Sequence, residues 1–528
     1  MTLSGTSLIG FQRGATHGTP TEAVNPATGE PLAPANFAAS AEEVDRAAAL
    51  ASAAFPSFSR TTGKQRAQFL RTIAGNIEAL GDALTQRAMA ETGLAEARVK
   101  GETGRTCFQL RMFAALVEEG SWCEARIDHG DPGRQPLPKP DLRSLLRPVG
   151  PTAVFCASNF PLAYSVAGGD TASAFAAGCP VIVKAHSSHP GTAELVGLAV
   201  SAAVRDCGLH EGAFSLLFGP GRAVGQALVA HPSVKAVGFT GSRAGGRALM
   251  DLAAQRPEPI PVYAEMSSIN PVFLLPDALA QHGSQIAAGL HASVTNGVGQ
   301  FCTNPGLIVA LRGPALDAFT TELANLISGT PPAVMLNRSI CRAFHQGTDR
   351  LAEHPQVQTQ ARAGNGAAGT GSAALFTTTA EAFLEDPRLA EEVFGPATLL
   401  VIAEKPEDFL RIAAALEGQL TATLHGSPAE MARHTDLLAT LERKAGRLLA
   451  GGFPTGVEVC PSMVHGGPYP ATADGRSTAV GTQAIFRFTR AVCFQNFPDA
   501  LLPPELQETN PLGIWRLVDG DRTRQAGL

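Results

Sequence analysis

The loop around Cys302 holds the side chain best suited to nucleophilic chemistry. Cys302 lies in "GQFCTNPG", residues 299–306, between "NGVG" and the turn formers Pro305 and Gly306. Structural cysteines usually lie in apolar runs, because a free thiol packs like a small hydrophobic group. A loop thiol near backbone amides can instead be a nucleophile with a lowered pKa. Taken alone, the segment favours an inert loop cysteine, so the rest of the chain must decide.

A second segment has the features of a phosphate-binding turn. "FTGSRAGG", residues 239–246, follows the apolar run "VKAVG" and opens the helix-like run "GGRALMDLAA". Glycines at such a junction let the backbone approach a pyrophosphate at a helix N-terminus. Gly241 and Gly246 could equally serve close packing, so the two interpretations of this segment are balanced.

Composition excludes several classes of partner. The chain has 528 residues, of which 45% are hydrophobic and 17% charged, and its formal net charge is −6. Its length predicts about two to four domains. Because binding to phosphate backbones needs clustered Lys and Arg, which this sequence lacks, we expect no nucleic-acid partner.

The sequence also predicts a cytoplasmic protein without a membrane segment. The apolar stretch at 162–183 is interrupted by Asp170 and Pro180, so it is not typical of a membrane span. The N-terminus has no charged region followed by an apolar core, so we expect no secretory signal. The nine cysteines form no CxxC pairs, which favours a reducing compartment over disulfides or a metal site.

The elements that position these residues alternate between short apolar runs and helix-like segments. After Val149 the runs are "TAVFCA", "PVIVKA", "FSLLFG", "VKAVGFTG" and "PVYAEM". Such alternation predicts an α/β fold in which helices cover a parallel sheet. Ligands of such sheets bind beyond the carboxyl ends of the strands. The polar residues at those ends are Asn159, Lys184, residues 219–222, Gly241 and Glu265.

Together, these segments resemble the aldehyde dehydrogenase superfamily over nearly the whole chain. The motifs in the family's order and at about its spacing are "NPATGE" at Asn25, "SNFP" at Ser158, "VIVKAH" with Lys184, "FTGS" at Phe239, "AEM" around Glu265, "GQFC" at Gly299 and "EEVFGP" at Glu391. The resemblance implies a Rossmann-like cofactor domain, an α/β catalytic domain and a small β oligomerisation flap.

Some positions depart from the family pattern. The usual Glu-Leu-Gly-Gly-Lys is "EMSSI" here, and Ser158 replaces an aromatic residue before Asn-Phe-Pro. "GVEVCPSMVHGG" stands where a late strand usually carries an asparagine. With "HGGPYPAT" from His465, these changes resemble a branch that contains alpha-ketoglutarate semialdehyde (2,5-dioxopentanoate) dehydrogenases and an NADP-dependent fatty aldehyde dehydrogenase. The departures concern the residues expected to bind the substrate, not those expected to carry out the reaction.

The resemblance implies a covalent mechanism for aldehyde oxidation. Cys302 would attack the aldehyde to give a thiohemiacetal, whose oxidation leaves a thioester for water to hydrolyse. Asn159 and the Cys302 backbone N–H would stabilise the oxyanion, and Glu265 would activate the water. His465 could tune the Cys302 thiolate or assist hydrolysis, with a hydrogen-bonded structural histidine as the alternative.

The same resemblance implies a nicotinamide cofactor. Lys184 would bind the adenosine ribose, Glu392 the nicotinamide ribose, and Phe394 would pack on the nicotinamide side, while Gly241 and Ser242 lie in the phosphate-binding turn.

NADP is the expected cofactor, with NAD as the alternative. Ser187, three residues after Lys184, replaces the acidic residue of NAD-selective relatives, and Arg222 could bind a 2′-phosphate.

The substrate end is open to two interpretations. Arg105, Gln109 and Arg111 lie on a helix that lines the substrate entrance in the resembling fold, and an arginine there could bind a substrate carboxylate. Arg476 is a rival for that role, and surface ion pairs or packing would explain the same residues without any ligand. We therefore expect alpha-ketoglutarate semialdehyde as substrate, with aliphatic or fatty aldehydes, or a non-catalytic relative, as alternatives.

The resemblance also implies a division of the chain. The segments are 1–135 and 152–278 for the cofactor domain, 279–465 for the catalytic domain, 136–151 and 482–497 for the flap, and 498–528 for an unassigned tail. The run "AIFRFTRAVCFQ" near the C-terminus could pair with the edge of a partner's sheet, so a homodimer or homotetramer is expected.

Overall fold

The computed structural model describes residues 2–364 and 366–526. Met1 and residues 527–528, at the ends of the predicted segments 1–135 and 498–528, lie outside the described residues. The α-helices are α1 (Ala41–Phe58), α2 (Gly63–Glu78), α3 (Gly81–Thr92), α4 (Glu96–Glu119), α5 (Gly169–Ala177), α6 (Pro190–Asp206), α7 (Gln226–Ala230), α8 (Arg243–Ala254), α9 (Pro276–Thr295), α10 (Pro314–Ser328), α11 (Arg338–Glu353), α12 (Ala380–Glu385), α13 (Glu407–Ala415), α14 (Pro428–Met431) and α15 (Thr435–Lys444). Among these described helices, none combines the length and apolar character that crossing a bilayer requires.

The β-strands form three larger sheets and two short ribbons. They are β1 (Leu8–Ile9), β2 (Gln12–Arg13), β3 (Thr21–Val24), β4 (Pro31–Asn36), β5 (Arg126–Asp128), β6 (Leu142–Pro148), β7 (Thr152–Phe155), β8 (Val181–Lys184), β9 (Phe214–Leu217), β10 (Ala236–Thr240), β11 (Val262–Glu265), β12 (Val272–Leu274), β13 (Leu307–Leu311), β14 (Ala333–Val334), β15 (Gln358–Arg362), β16 (Thr370–Gly371), β17 (Ala374–Thr379), β18 (Ala397–Ala403), β19 (Gln419–His425), β20 (Ala445–Ala450), β21 (Thr489–Gln495), β22 (Arg516–Val518) and β23 (Asp521–Thr523).

The first sheet contains the five apolar runs that the sequence indicated as strands. Its order is β11-β10-β7-β8-β9-β1-β2, and the strands from β11 to β9 are parallel. Every residue of β7, β8 and β9 is buried, as expected where helices cover both faces of a parallel sheet. The sequence did not predict β1 and β2, because two-residue strands are too short to show a pattern.

A second sheet of seven strands is formed by the later part of the chain. Its order is β15-β17-β18-β13-β12-β19-β20, and β15 is its antiparallel edge strand. β12 pairs with β13 and β19, so the sheet begins before the predicted boundary at 278–279, which falls inside α9. β12 has only three residues and follows β11 closely in the chain, so the sequence pattern does not separate the two sheets.

The third sheet contains both predicted flap segments and three further strands. Its order is β21-β6-β5-β22-β23, with β21 antiparallel to β6. β6 and β21 come from the two predicted flap segments, whereas β5 lies in the segment assigned to the cofactor domain and β22 and β23 lie in the unassigned tail. Most side chains of the edge strand β21 are exposed or half-buried. Buried Arg143 binds Asp141 and the Leu506 carbonyl, which attaches the tail to β6.

Candidate active site

A cleft of about 600 Å³ lies at the carboxyl ends of strands β7, β8, β10 and β11. Residues from the part of the chain that contains the second sheet, among them Cys302, Ile340 and Glu392, form the opposite wall of the cleft. The cleft therefore lies between the first two sheets. The predicted site residues that line it are Asn159, Lys184, Gly241, Ser242, Glu265, Cys302, Glu392 and Phe394.

Three reactive side chains converge at one end of this cleft. The Sγ atom of Cys302 lies 3.6 Å from Nε2 of His465, and the same nitrogen lies 3.1 Å from Oε1 of Glu265. Glu265 and His465 are buried, and Cys302 is half-buried. The arrangement places a nucleophile, an imidazole and a carboxylate in direct contact.

Backbone pairing fixes Glu265 and His465 relative to each other. Glu265 is the last residue of β11 and forms an isolated bridge with Thr472. The Met266 N–H donates to the Ala471 carbonyl at 2.8 Å, so the chain after His465 is tied to the end of the first sheet. The His465 N–H donates to Thr478 Oγ1 at 2.9 Å.

Asn270, which the sequence analysis did not identify, holds the Cys302 loop. Its Nδ2 donates to the Cys302 and Asn304 carbonyls, each at 2.9 Å. Asn270 is buried and has a φ of 49°, in the left-handed region that asparagine tolerates better than most residues. The Asn270–Pro271 dipeptide, a turn former, was the available sequence indication of this position.

The electrostatics of the cluster differ from the expectation of a low-pKa thiol. Burial, reinforced by the Glu265 charge, raises the pKa of Cys302 well above its usual range. Burial alone would also raise the pKa of Glu265, but the charge and hydrogen bond of His465 and a hydrogen bond from Cys302 lower it overall. This arrangement therefore favours a neutral thiol beside an ionised carboxylate.

Asn159 lies beside the nucleophile loop. Its Nδ2 donates to the Gln300 carbonyl at 3.1 Å, two residues before Cys302. A primary amide carries two N–H donors, so the second is available for an oxygen bound near Cys302.

The cofactor end of the cleft contains a buried cation and a helix N-terminus. Lys184 is buried, no carboxylate of the described residues lies within 4 Å of its Nζ, and burial lowers its pKa. Ser242 caps α8 by accepting a hydrogen bond from the Gly245 N–H at 3.2 Å. A Cβ atom on Gly241 would lie 2.7 Å from the tip of the Phe239 ring, so a larger residue here would require that ring to move. An anionic cofactor fits this chemistry.

Ser187 and Arg222 lie at the rim of the cleft instead of in its wall. Both are exposed, whereas their neighbours His186 and Gly221 line the cleft. Arg222 belongs to a single π-helical turn at Gly221–Gly225, directly after β9.

In the "EMSSI" segment, Ser267 places its hydroxyl group against Glu392. Ser267 Oγ donates to Glu392 Oε2 at 2.5 Å. Burial raises the pKa of Glu392 to about 7, although the Ser267 hydrogen bond opposes this shift. Ser267 was missed as a site residue because nothing in a serine pair indicates a partner more than 100 residues away.

The predicted substrate residues separate in the structure. Arg111 forms a surface ion pair with Glu78, with an Nη2–Oε2 distance of 2.6 Å, and Arg476 is a surface residue beside Asp474. Gln109 is buried in the core beside Gly169 and is not part of the cleft lining. Sequence spacing alone does not show which face of a helix meets a ligand, so a substrate role for these residues stays a prediction. Arg105 instead binds the Val457 carbonyl in the interior.

Comparison with known proteins relates this geometry to characterised chains. The model of the aldehyde dehydrogenase family matches residues 11–438. Alpha-ketoglutaric semialdehyde dehydrogenase 2 of Azospirillum brasilense is 54% identical over 530 residues, covering 98% of this chain and 99% of that one. Alpha-ketoglutaric semialdehyde dehydrogenase of Acinetobacter baylyi is 46% identical over 533 residues, covering 99% of each.

Solved structures confirm the predicted fold. A mutant of aldehyde dehydrogenase C from Pseudomonas syringae, in complex with NAD+ and octanal, matches with a TM-score of 0.79 and 23% identity, over 94% of this chain and 98% of that one. Lactaldehyde dehydrogenase from Escherichia coli matches with a TM-score of 0.80 and 20% identity, over 93% and 98%.

The electrostatics of the cluster predict a pH-dependent thiol reactivity. Iodoacetamide should alkylate Cys302 slowly at pH 7 and faster as the pH rises, because burial and Glu265 raise the thiol pKa. Glu265→Gln removes the opposing charge and should raise the rate at pH 7 roughly tenfold or more. Mass spectrometry of the labelled peptide separates Cys302 from the other thiols. Glu391→Gln, an exposed control paired with Arg350, should not change the profile. A wild-type profile already at its plateau at pH 7 would contradict this account.

Proposed function

Because the chain belongs to the aldehyde dehydrogenase family, we propose that it oxidises alpha-ketoglutarate semialdehyde to 2-oxoglutarate, with NADP as the preferred acceptor. Family membership makes it an aldehyde-oxidising oxidoreductase that uses a nicotinamide cofactor. The observation that carries the proposed mechanism is the contact of Cys302, His465 and Glu265 beside Asn159. The similarity to two alpha-ketoglutaric semialdehyde dehydrogenases supports the substrate.

The first step is attack by Cys302 on the aldehyde carbon. A sulfur–carbon bond forms, the carbonyl π bond breaks, and the thiol proton passes to the adjoining His465–Glu265 pair. The second amide N–H of Asn159 and the Cys302 backbone N–H stabilise the resulting oxyanion. Attack requires deprotonation at that moment, because the resting thiol is held neutral.

The cofactor is held by the other end of the cleft. Lys184 and Glu392 would bind its two riboses, Gly241 and Ser242 at the start of α8 would hold its phosphates, and Phe394 would pack on the nicotinamide side; all five residues line the cleft. When bound, the nicotinamide accepts the hydride whose loss converts the thiohemiacetal into a thioester.

Hydrolysis of the thioester is the task of Glu265. His465 keeps the pKa of this buried carboxyl below its usual range, so Glu265 is ionised at neutral pH and takes a proton from water. The water oxygen bonds to the thioester carbon, the carbon–sulfur bond breaks, and the Cys302 sulfur recovers a proton from the same pair. The product acid loses its proton and leaves as a carboxylate, so each turnover passes one hydride to the cofactor and releases two protons to solvent.

The substrate proposal is tested by comparing aldehydes. The wild-type protein should reduce NADP with a higher kcat/KM for alpha-ketoglutarate semialdehyde than for pentanal or decanal, measured by nicotinamide absorbance. Cys302→Ala should reduce turnover to background while leaving cofactor binding intact. Cys156→Ala is the matched control, because Cys156 also lines the cleft, whereas the thiol in contact with the His465–Glu265 pair is that of Cys302. Turnover in Cys302→Ala would identify another nucleophile, and a preference for decanal would overturn the substrate.

Glu265→Gln should separate the two halves of the reaction. A burst of reduced cofactor, at most one per active site, should be followed by a stall, because acylation survives and water is no longer activated. Rapid-mixing absorbance measures the burst, and acid quenching followed by mass spectrometry detects the acylated Cys302 peptide. Steady turnover without a burst would instead assign the base to His465, and Glu265→Gln/His465→Gln would then be compared with each single variant.

Arg222→Ala should weaken NADP binding about ten- to a hundredfold, because one charge-assisted contact to the 2′-phosphate is lost. Binding of NAD should change little. Ser187 adds no negative charge at this rim, and Arg222 has no carboxylate partner within 4 Å among the described residues. Fluorescence titration with both cofactors measures the effect, and Arg476→Ala, an exposed arginine beside Asp474, is the control. Equal losses for both cofactors, or a wild type that favours NAD, would refute the NADP preference.

A further inference from the structure

The loop between β11 and β12, residues 266–271, is fixed by a side chain of the second sheet. Gln419, the first residue of β19, is buried, and its Oε1 accepts hydrogen bonds from Ser268 Oγ and from the Ile269 N–H, each at 2.9 Å. These contacts hold the backbone on the C-terminal side of Ser267, whose side chain lines the cleft. The position of the Ser267 hydroxyl group is therefore set before any ligand binds.

Ser267 binds a carboxylate that comes from a distant part of the chain. Its Oγ donates to Oε2 of Glu392 at 2.5 Å, and both residues line the cleft. The family pattern Glu-Leu-Gly-Gly-Lys has glycine at the position of Ser267, so the hydroxyl group is a feature of the "EMSSI" segment of this chain. A glycine at this position would leave Glu392 without this donor.

The surroundings of Glu392 act against its ionisation. Burial first, and the Glu265 charge to a lesser extent, raise the pKa of Glu392 to about 7. Hydrogen bonds donated by the Ser267 hydroxyl group and by the Ser268 N–H oppose this shift. The ionised form of Glu392 therefore depends on these two donors.

In the part of the chain that the structure describes, no positive charge takes over this task. Glu392 forms no ion pair with a Lys, Arg or His side chain there. The nearby Cys302 is a neutral thiol in the resting cluster, because its pKa is raised. The neighbouring carboxylate, Glu391, instead pairs with Arg350 at 3.0 Å. Hydrogen bonds are thus what favours the Glu392 carboxylate over the carboxylic acid.

We propose that Ser267 is a positioning residue that keeps Glu392 ionised and oriented to bind the hydroxyl groups of the nicotinamide ribose. An ionised carboxylate only accepts hydrogen bonds, whereas a protonated one carries an O–H donor, so the ribose hydroxyl groups are bound best by the ionised form. A carboxylate has about four acceptor positions, so the Ser267 hydrogen bond leaves room for both ribose hydroxyl groups. The inference rests on the ribose role of Glu392 in the proposed function and adds the residue that sets how cofactor binding depends on pH.

Binding of NADPH, followed by its fluorescence between pH 6 and pH 9, tests this inference without turnover. In the wild type, affinity should rise as the pH passes through about 7, because Glu392 loses its proton there. Ser267→Ala removes a hydrogen bond to the ionised form and should move this midpoint up by about one pH unit. The variant should then bind NADPH about fivefold more weakly than the wild type at pH 7, and within about threefold of it at pH 9.

Three controls separate this role from other effects. Glu392→Gln, which cannot titrate at this position, should bind NADPH more weakly and lose the rise near pH 7; it also gives the baseline for the 2′-phosphate, whose own pKa is about 6. Ser339→Ala removes another hydroxyl group of the cleft, which donates to Asn337 Oδ1 at 2.6 Å, and should leave the pH profile unchanged. ADP, which lacks the nicotinamide ribose, should bind the wild type and Ser267→Ala equally at every pH, as measured by calorimetry.

The outcomes distinguish the role of Ser267 from that of Glu392. An upward shift of the midpoint in Ser267→Ala, with affinity recovered at high pH, confirms the positioning role. An unchanged midpoint, or an equal loss of affinity at every pH, would show that the hydroxyl group only shapes the loop and would overturn the inference. Unchanged NADPH affinity in Glu392→Gln would instead refute the ribose role of Glu392, and the inference with it.

Discussion

One imidazole nitrogen, Nε2 of His465, lies between the Cys302 thiol and the Glu265 carboxylate. A single nitrogen cannot donate to Glu265 and accept from Cys302 at the same time, so the protonation states of the three groups depend on one another. Burial strengthens this coupling, because charges inside a protein are poorly screened. A raised pKa of the Cys302 thiol beside a lowered pKa of the Glu265 carboxyl favours a resting cluster with a neutral thiol and an ionised carboxylate.

The fold brings three separate chain segments to this point. Strand β11 ends at Glu265, and the chain near Thr472 pairs with that end by an isolated bridge. The Gly241 N–H donates to the Glu265 carbonyl at 3.1 Å, so the turn before α8 is connected to the catalytic residue. Asn270 holds the backbone of Cys302 from the second sheet's side. The same contacts that set the distances of 3.1 and 3.6 Å in the cluster therefore join the first two sheets.

The sequence predicted those features that depend on local pattern. Strands β7 to β11 were found because buried parallel strands are short apolar runs, and Cys302, Glu265 and Asn159 lie in motifs next to strands or turns. Asn270 and Ser267 were missed, because their importance comes from contacts with residues far away in the chain. The ion pair of Arg111 with Glu78 on α2 was not predicted, because helical spacing does not show contacts with another helix. The raised thiol pKa was missed because a polar loop does not reveal its own burial.

Uncompensated positive charge marks the cofactor end of the cleft. Lys184 is buried in the wall of the cleft, and Arg222 lies at its rim. Among the described residues, neither cation has a carboxylate within 4 Å, although the whole chain has a net charge of −6. Because a buried ammonium group without a counterion is costly, this end of the cleft favours an anionic ligand, and a phosphate-bearing cofactor would compensate both charges.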